Sequence, residues 1–592
     1  MLSCKGSPAL TDSLPSRRHI SPDALSDSAR ETVVRWIEAC NGHDVCRPGG
    51  TNVLPKRLLD VGTAADTKVR LVSATHAHEY VALTHCWGKK KPLSTTQGNE
   101  EAMREEVPWD LLPQTFQDAI RVIRWLDRRF IWIDSLCIVQ DSARDWEEEA
   151  AKMAGIYSGC ELLIASSRAA SCEEGFLQLR SGDKLVLSTN REGKAVRVYS
   201  RKRKHEPYGG PVPYEFFDLP LFSRGWCFQE RLMAPRTLYF TKDELYFQCR
   251  KGDVCECDGA NHRLRTSCHT FYRGSIQKDL QIGSGEGKDG KKQIGMNTGR
   301  NIEYKPASED VIPFYEMKAD PKLSNRVSLI QRLYRDAREL TYDSLIPLEF
   351  GWLWAQLVAD YTALNLTYTQ DILPALSGVA SLMLAYKPGQ YFAGIWQRDI
   401  HYLLGWVPAL ENESGTRPEG YTAPSFSWAS RIGPVTFEHQ DEIIAVCRIM
   451  DIRCHVKGVD PYGQVTGGSL TLLGKLAALP ISFEAGPAQS SFLSVEDAEG
   501  NVRKCKVCFD TGEDREEWRD GGTAGRVFCF ELFRSLGRPD DSVDEGEQAE
   551  LVHALVLKTG GDENRKFQRI GVALQVPGRV FDSVPSVEVA VI

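Results

Sequence analysis

The sequence predicts an α/β core with a central, at least partly parallel sheet flanked by helices, then a helical segment and a β-rich C-terminal region, making the chain α+β overall. Three observations carry this expectation. Apolar runs begin at Tyr80 (YVALTHCW), Phe130 (FIWIDSLC) and Cys160 (CELLIASS), each of a length suited to a buried strand. Helical periods lie between them. In TFQDAIRVIRWL, Phe116, Ile120, Ile123 and Leu126 fall on one face, and DWEEEAAKMAGIY, from Asp145, opens with an acidic turn that suits the helix dipole. Such a strand–helix–strand–helix–strand order favours parallel pairing, because parallel neighbours need a crossover. Beyond about residue 440, β-branched runs such as SLTLLGKLAALPISF and AELVHALVLK alternate with Gly, Pro and Asp turns.

At 592 residues the chain exceeds what a single hydrophobic core supports, roughly 250–300 residues. Residues 1–28, polar and rich in Ser and Pro, read as a disordered N-terminus without the apolar stretch of a signal peptide. Residues 29–75 form a lead-in with a helix and a Cys/His cluster, and 76–240 form the core. An extension occupies 241–440, with a Gly/Lys/Asn-rich flexible insertion at 275–308 and a tryptophan-rich helical stretch at 325–410. The β-rich region is 441–592, with an acidic loop from Gly537.

The charge balance is 72 basic against 80 acidic side chains, a net −8, which gives no overall drive towards nucleic acid. No apolar run reaches the ~18–20 residues of a membrane span. Seventeen cysteines without a secretory signal point to a reducing compartment, the cytoplasm, and to thiols or metal ligands instead of disulfides.

Candidate functional residues gather at strand ends. His85, Cys86, Trp87 and Gly88 end the first apolar run, where an α/β sheet opens its ligand crevice. A buried thiol and indole anchoring a loop is the leading reading of Cys86 and Trp87, ahead of direct catalysis. Asp134 comes directly after FIWI and Cys137 lies three residues on; a carboxylate there serves equally as a base or as a turn cap. Of the acidic run at 147–149, Glu149 shares a helical face with Lys152, Met153 and Ile156, so it borders the buried stripe. Arg224, Trp226, Gln229 and Glu230 form a further cluster, in which Arg224 and Glu230 read as a buried ion pair or as a clamp for an anion. All of these except Gly88 and Glu149 are expected to converge on one crevice. Cys40, His43 and Cys46 have a C-x2-H-x2-C spacing compatible with zinc but supply only three ligands locally. A second set comprises Cys249, Cys255, Cys257, His262, Cys268 and His269. GSGEGKD, from Gly283, lacks phosphate-loop spacing, and no G-x-S-x-G supports a serine hydrolase.

Three blocks carry a family resemblance: YVALTHCWGKKKPLSTTQGN at 80–99, the stretch LPQTFQDAIRVIRW…GCELLIAS at 112–166, and LFSRGWCFQERLMAPRTLYF at 221–240. In this order the chain resembles the fungal heterokaryon-incompatibility (HET) domain family. The lead-in at 36–62 and the stretch at 366–430 are also similar to large members. The resemblance implies a role in self/non-self recognition, as an effector of growth arrest or programmed cell death, with partners among other proteins of an incompatibility system and through self-association. HET domains have been likened to TIR domains, some of which cleave NAD with a helical glutamate. That likeness implies Glu149 in that part and NAD as substrate; its helix starts beside the strand end that carries the other two catalytic candidates, Asp134 and Cys137. An enzyme, either an NAD glycohydrolase or a biosynthetic tailoring enzyme, therefore stands as the alternative to a signalling protein.

Overall fold

The computed structural model describes residues 2–4, 16–17, 20–47, 53–63, 66–75, 79–181, 184–189, 195–200, 219–257, 349–409, 415–438, 440, 443–483, 491–496, 502–519, 526–536, 550–559 and 566–592. The insertion at 275–308, the acidic loop at 537–549 and the histidines and cysteine at 262–269 lie outside them.

The elements of the core, in chain order, are α1 (Asp27–Asn41), β1 (Arg57–Asp60), β2 (Arg70–Ser73), β3 (Tyr80–Thr84), α2 (Gln114–Trp125), β4 (Phe130–Trp132), α3 (Asp134–Cys137), α4 (Ala143–Ala150), α5 (Met153–Gly159), β5 (Leu162–Ala165), α6 (Gly225–Met233), β6 (Arg236–Phe240), β7 (Leu245–Cys249) and β8 (Gly252–Cys255). One eight-stranded sheet takes all eight strands in the spatial order β8-β7-β6-β5-β3-β4-β1-β2. The three apolar runs are neighbours in it, as expected. Val81 of β3 faces Ile131 of β4 on one side and Leu162 of β5 on the other, both in parallel register. β6 adds a fourth parallel strand, whereas the outer pairs on both flanks are antiparallel. β3 is buried at every position, as a parallel strand covered on both faces must be. Helix α2 supplies part of that cover through Phe116, Ile120 and Ile123, all fully buried.

The helix expected from Asp145 is broken. Ser142 caps α4 by accepting the Asp145 N–H at 3.3 Å, the chain turns at Ala151–Lys152, and α5 starts afresh. Basic residues at the start of β1 hold the acidic helix against the sheet: Lys56 Nζ lies 2.7 Å from both Asp145 and Glu148, and Arg57 pairs with Asp145. Leu2–Cys4 and Ser16–Arg17 are strands in a small sheet with Lys184–Thr189 and Ala195–Ser200, and α1 begins at Asp27.

Beyond the core the described residues include the helices α7 (Glu349–Thr362) and α8 (Pro374–Met383). Phe350, Trp354, Leu373 and Leu376 from this layer join Phe228 and Leu232 of α6 in one apolar cluster. The C-terminal region is a nine-stranded, mostly antiparallel sheet. Its strand Val465–Phe483 is 19 residues long and contributes Leu470 and Leu472 to that cluster, and Ala477 and Leu479 to a second one. Among the described residues no helix is long and apolar enough to cross a membrane.

Candidate functional site in the parallel sheet

The parallel strands end together, and polar residues lie within two positions of each end. β3 hands over at Thr84 to His85, Cys86, Trp87 and Gly88; β4 leads into Asp134; β5 leads into Ser166, whose N–H bonds the Thr84 carbonyl at 3.0 Å. Helix α6 lies over this edge, with Arg224 at its N-cap position and carrying Cys227, Gln229 and Glu230. Gly88 makes the turn possible. Its φ is +80°, and a Cβ there would sit 2.5 Å from Cβ of Ser171. Gly88→Ala is expected to cost about 1–3 kcal/mol through this clash and the left-handed backbone. A lowered melting temperature checks it, and an unchanged one excludes a fixed turn.

Trp87 Nε1 donates to Asp134 Oδ2 at 3.0 Å, tying the β3 and β4 ends together. His85 is buried edge-on against Phe116, with ring centres 5.0 Å apart. Burial pushes its pKa down to about 4, reinforced by Arg224 and opposed by Asp134, so the imidazole is neutral at pH 7. Burial also pushes the Cys86 thiol up to about 11 and Cys227 well above its usual range, so neither is a thiolate nucleophile.

Asp134 is half-buried, whereas Glu230 is buried. It is 5% exposed, and burial raises its pKa to about 7. The neighbouring Asp134 charge adds to the rise; Thr84, Arg224 and Tyr157 oppose it. Although the Thr84 hydroxyl is near enough to favour the carboxylate, neither Thr84 Oγ1 nor Glu230 Oε2 has a hydrogen-bond partner of normal geometry among the described residues. The same holds for His85 Nε2, Ser166 Oγ and Gln229 Nε2. Buried polar atoms are nearly always paired, so several open ones at one strand edge call for a reason. Arg224, half-buried, interacts with Cys227, Cys86, Glu230 and Asp134, and these hold its guanidinium charged against desolvation. The two charges lie near each other without forming the direct ion pair that the sequence suggests.

Residues 80–230, from the first residue of β3 to Glu230, match the family model described as heterokaryon incompatibility protein (HET). The chain carries a HET domain. No curated protein and no solved structure matches the chain.

Within the HET domain the structure brings together His85, Cys86, Trp87, Asp134, Arg224 and Glu230. Thr84, Ser166, Cys227 and Tyr157, absent from the candidates named on sequence grounds, stand with them. Thr84 and Ser166 carry a usable signal, as the polar residues closing two apolar runs; Tyr157, on a helix face that also carries Met153 and Ile156, carries none. Gln229 sits at the border, accepting the Gly378 N–H from α8 at 2.6 Å. Trp226 turns away and donates to Asp371 at 3.0 Å. Cys137 is a core thiol, pushed up to about 12 by burial and set beside the Ile133 N–H.

Glu149 is fully buried, but both its oxygens are engaged. Oε2 accepts the Lys56 backbone N–H at 3.0 Å, and Oε1 accepts from Lys152 Nζ at 2.9 Å. Neither bond reaches the Glu230 group. Glu149→Gln keeps the backbone bond and loses the charge, with an expected cost of roughly 1–3 kcal/mol, the usual range for a weakened buried charged bond. Denaturant unfolding measures it, and a variant as stable as the wild type would contradict a structural role. The zinc candidates Cys40, His43 and Cys46 gather at the end of β7, where Cys249 joins them. Cys255 and Cys257 group with Glu244 instead.

Proposed function

We propose that this protein is an effector of heterokaryon incompatibility whose HET domain cleaves the nicotinamide bond of NAD, with Glu230, not Glu149, as the carboxyl that handles the proton. The observation that carries this reading is the Glu230 carboxyl group: buried, poised near neutrality and left with an open oxygen among other open polar atoms. A base works best with a pKa near the working pH. In hydrolysis nicotinamide leaves as a neutral molecule, so no acid is needed for departure. Water adds at the ribose carbon, and its proton passes to ionised Glu230. Arg224 supplies positive charge for the pyrophosphate, and neutral His85 and Thr84 offer hydrogen bonds to ribose hydroxyls. Consumption of NAD would stop growth, consistent with an effector acting in the cytoplasm with other incompatibility proteins or with its own copies.

Purified full-length protein incubated with NAD is expected to release nicotinamide, with kcat/KM rising with pH through about 7 as Glu230 ionises. Folded protein that releases none would end the NAD reading, and a flat pH profile would remove Glu230 from the base role.

A further inference from the structure

We propose that Cys40, His43, Cys46 and Cys249 form a structural zinc site that clamps the end of α1 to strand β7. Four potential ligand atoms, one from each residue, all lie within 4.8 Å of one another. His43 Nδ1 is 3.7 Å from Cys46 Sγ and 3.7 Å from Cys249 Sγ. A tetrahedral zinc with Zn–S near 2.3 Å and Zn–N near 2.0–2.1 Å places neighbouring ligand atoms roughly 3.5–3.8 Å apart. The spacing therefore suits an ion at the centre and is far too long for a covalent bond between the atoms themselves. All three cysteines are buried, and His43 closes the set from the solvent side. Three thiolates and an imidazole fill a zinc coordination sphere and leave no open position, which makes the site structural and not catalytic.

The surroundings also fit. A zinc ion with three thiolates carries one net negative charge. Arg236 donates to the Asn41 side chain at 2.6 Å and to the Cys46 carbonyl at 3.1 Å, and Arg250 donates to the Val45 carbonyl at 3.2 Å. These two guanidinium groups brace the ligand loop and place positive charge beside the sulfurs, the outer support that metal ligands need. The C-x2-H-x2-C spacing delivers three ligands from one turn, and the fourth arrives on a strand 206 positions from His43.

The experiment is a metal count on the full-length chain, expressed without a histidine tag in zinc-supplemented medium and dialysed. About one zinc per chain is expected, falling at least tenfold in Cys249→Ser. Cobalt(II) exchanged into the wild type should give thiolate charge-transfer absorption and tetrahedral d–d bands. Chelation should lower the wild-type melting temperature and open Cys40, Cys46 and Cys249 to alkylation, mapped by mass spectrometry. A wild type that is zinc-free and gives no cobalt–thiolate spectrum would overturn the site, as would a disulfide among these three cysteines. The wild-type count and spectrum decide even if the Cys249→Ser protein does not fold.

Discussion

Glu230→Gln is expected to lower nicotinamide release by about 10²–10⁴-fold, the range set by loss of a positioned base, while making the folded protein more stable at pH 8. The second half has the same cause as the first, burial of the carboxyl. Glu230 is raised from 4.5 to about 7 in the folded state. Between those values the unfolded chain has released the proton and the folded chain still holds it. Stability therefore falls as pH rises across this window, by about 1.4 kcal/mol per unit and about 3 kcal/mol in all. Glutamine cannot titrate, so the variant should gain on the wild type by that amount between pH 5 and pH 8. His85 acts in the opposite sense: its pKa falls from 6.5 to about 4, so the folded state gains stability as pH rises between them. The wild-type profile alone is thus partly cancelled, and the difference between variant and wild type isolates Glu230. Melting curves at the two pH values provide the check. A pH-independent difference would mean that Glu230 is ionised throughout, and the base assignment would lose its footing.

Asp510→Ala is expected to destabilise the C-terminal region by roughly 3–5 kcal/mol, because it strands a fully buried guanidinium. Arg569 and Asp510 are both 0% exposed. Arg569 reaches both Asp510 oxygens at 3.2 Å, donates to the Leu404 and Trp406 carbonyls, and stacks 3.6 Å over the Trp406 ring. Replacing both partners, Asp510→Ala with Arg569→Met, should recover most of the loss, since an apolar pair leaves no unpaired charge. Urea midpoints compare the three proteins. A single variant within about 1 kcal/mol of the wild type would show that water solvates the Arg569 charge once the carboxylate is gone.

Legibility in the sequence depends on how locally each feature is encoded. β3, β4 and β5 stand out because strands covered on both faces must be apolar throughout. β1 does not, since Arg57 and Asp60 are buried there through partners far along the chain, Asp145 and Arg129. The case for Glu149 rests on a helical face continuous with Met153 and Ile156. The break at Ala151–Lys152 interrupts that helix, and the carboxylate is taken up by Lys56 and Lys152. Glu230 is visible as a site residue, but its neighbour Arg224 suggests an ion pair. Its near-neutral pKa depends on burial of its face of α6 against Thr84 and Tyr157 and on Asp134, which no spacing reveals. Cys249 falls in the wrong company on sequence grounds, with Cys255 and Cys257, because its approach to His43 exists only once β7 is in the sheet.

The packing of α6 has a consequence for heredity. The family match stops at Glu230, yet Phe228 and Leu232, on either side of that point, are seated among Phe350, Leu373 and Leu376. The seam along which the family is recognised therefore runs through the middle of a solid. A gene conversion that replaced the HET blocks alone would graft one α6 surface onto a floor shaped for another. Gly378 allows no slack there, since a single added carbon would come within 2.6 Å of Ala154 and 2.8 Å of Gln229. Recombinants that survive should carry the α7–α8 floor along with the blocks, so the two stretches are expected to travel as one haplotype even where the intervening sequence drifts.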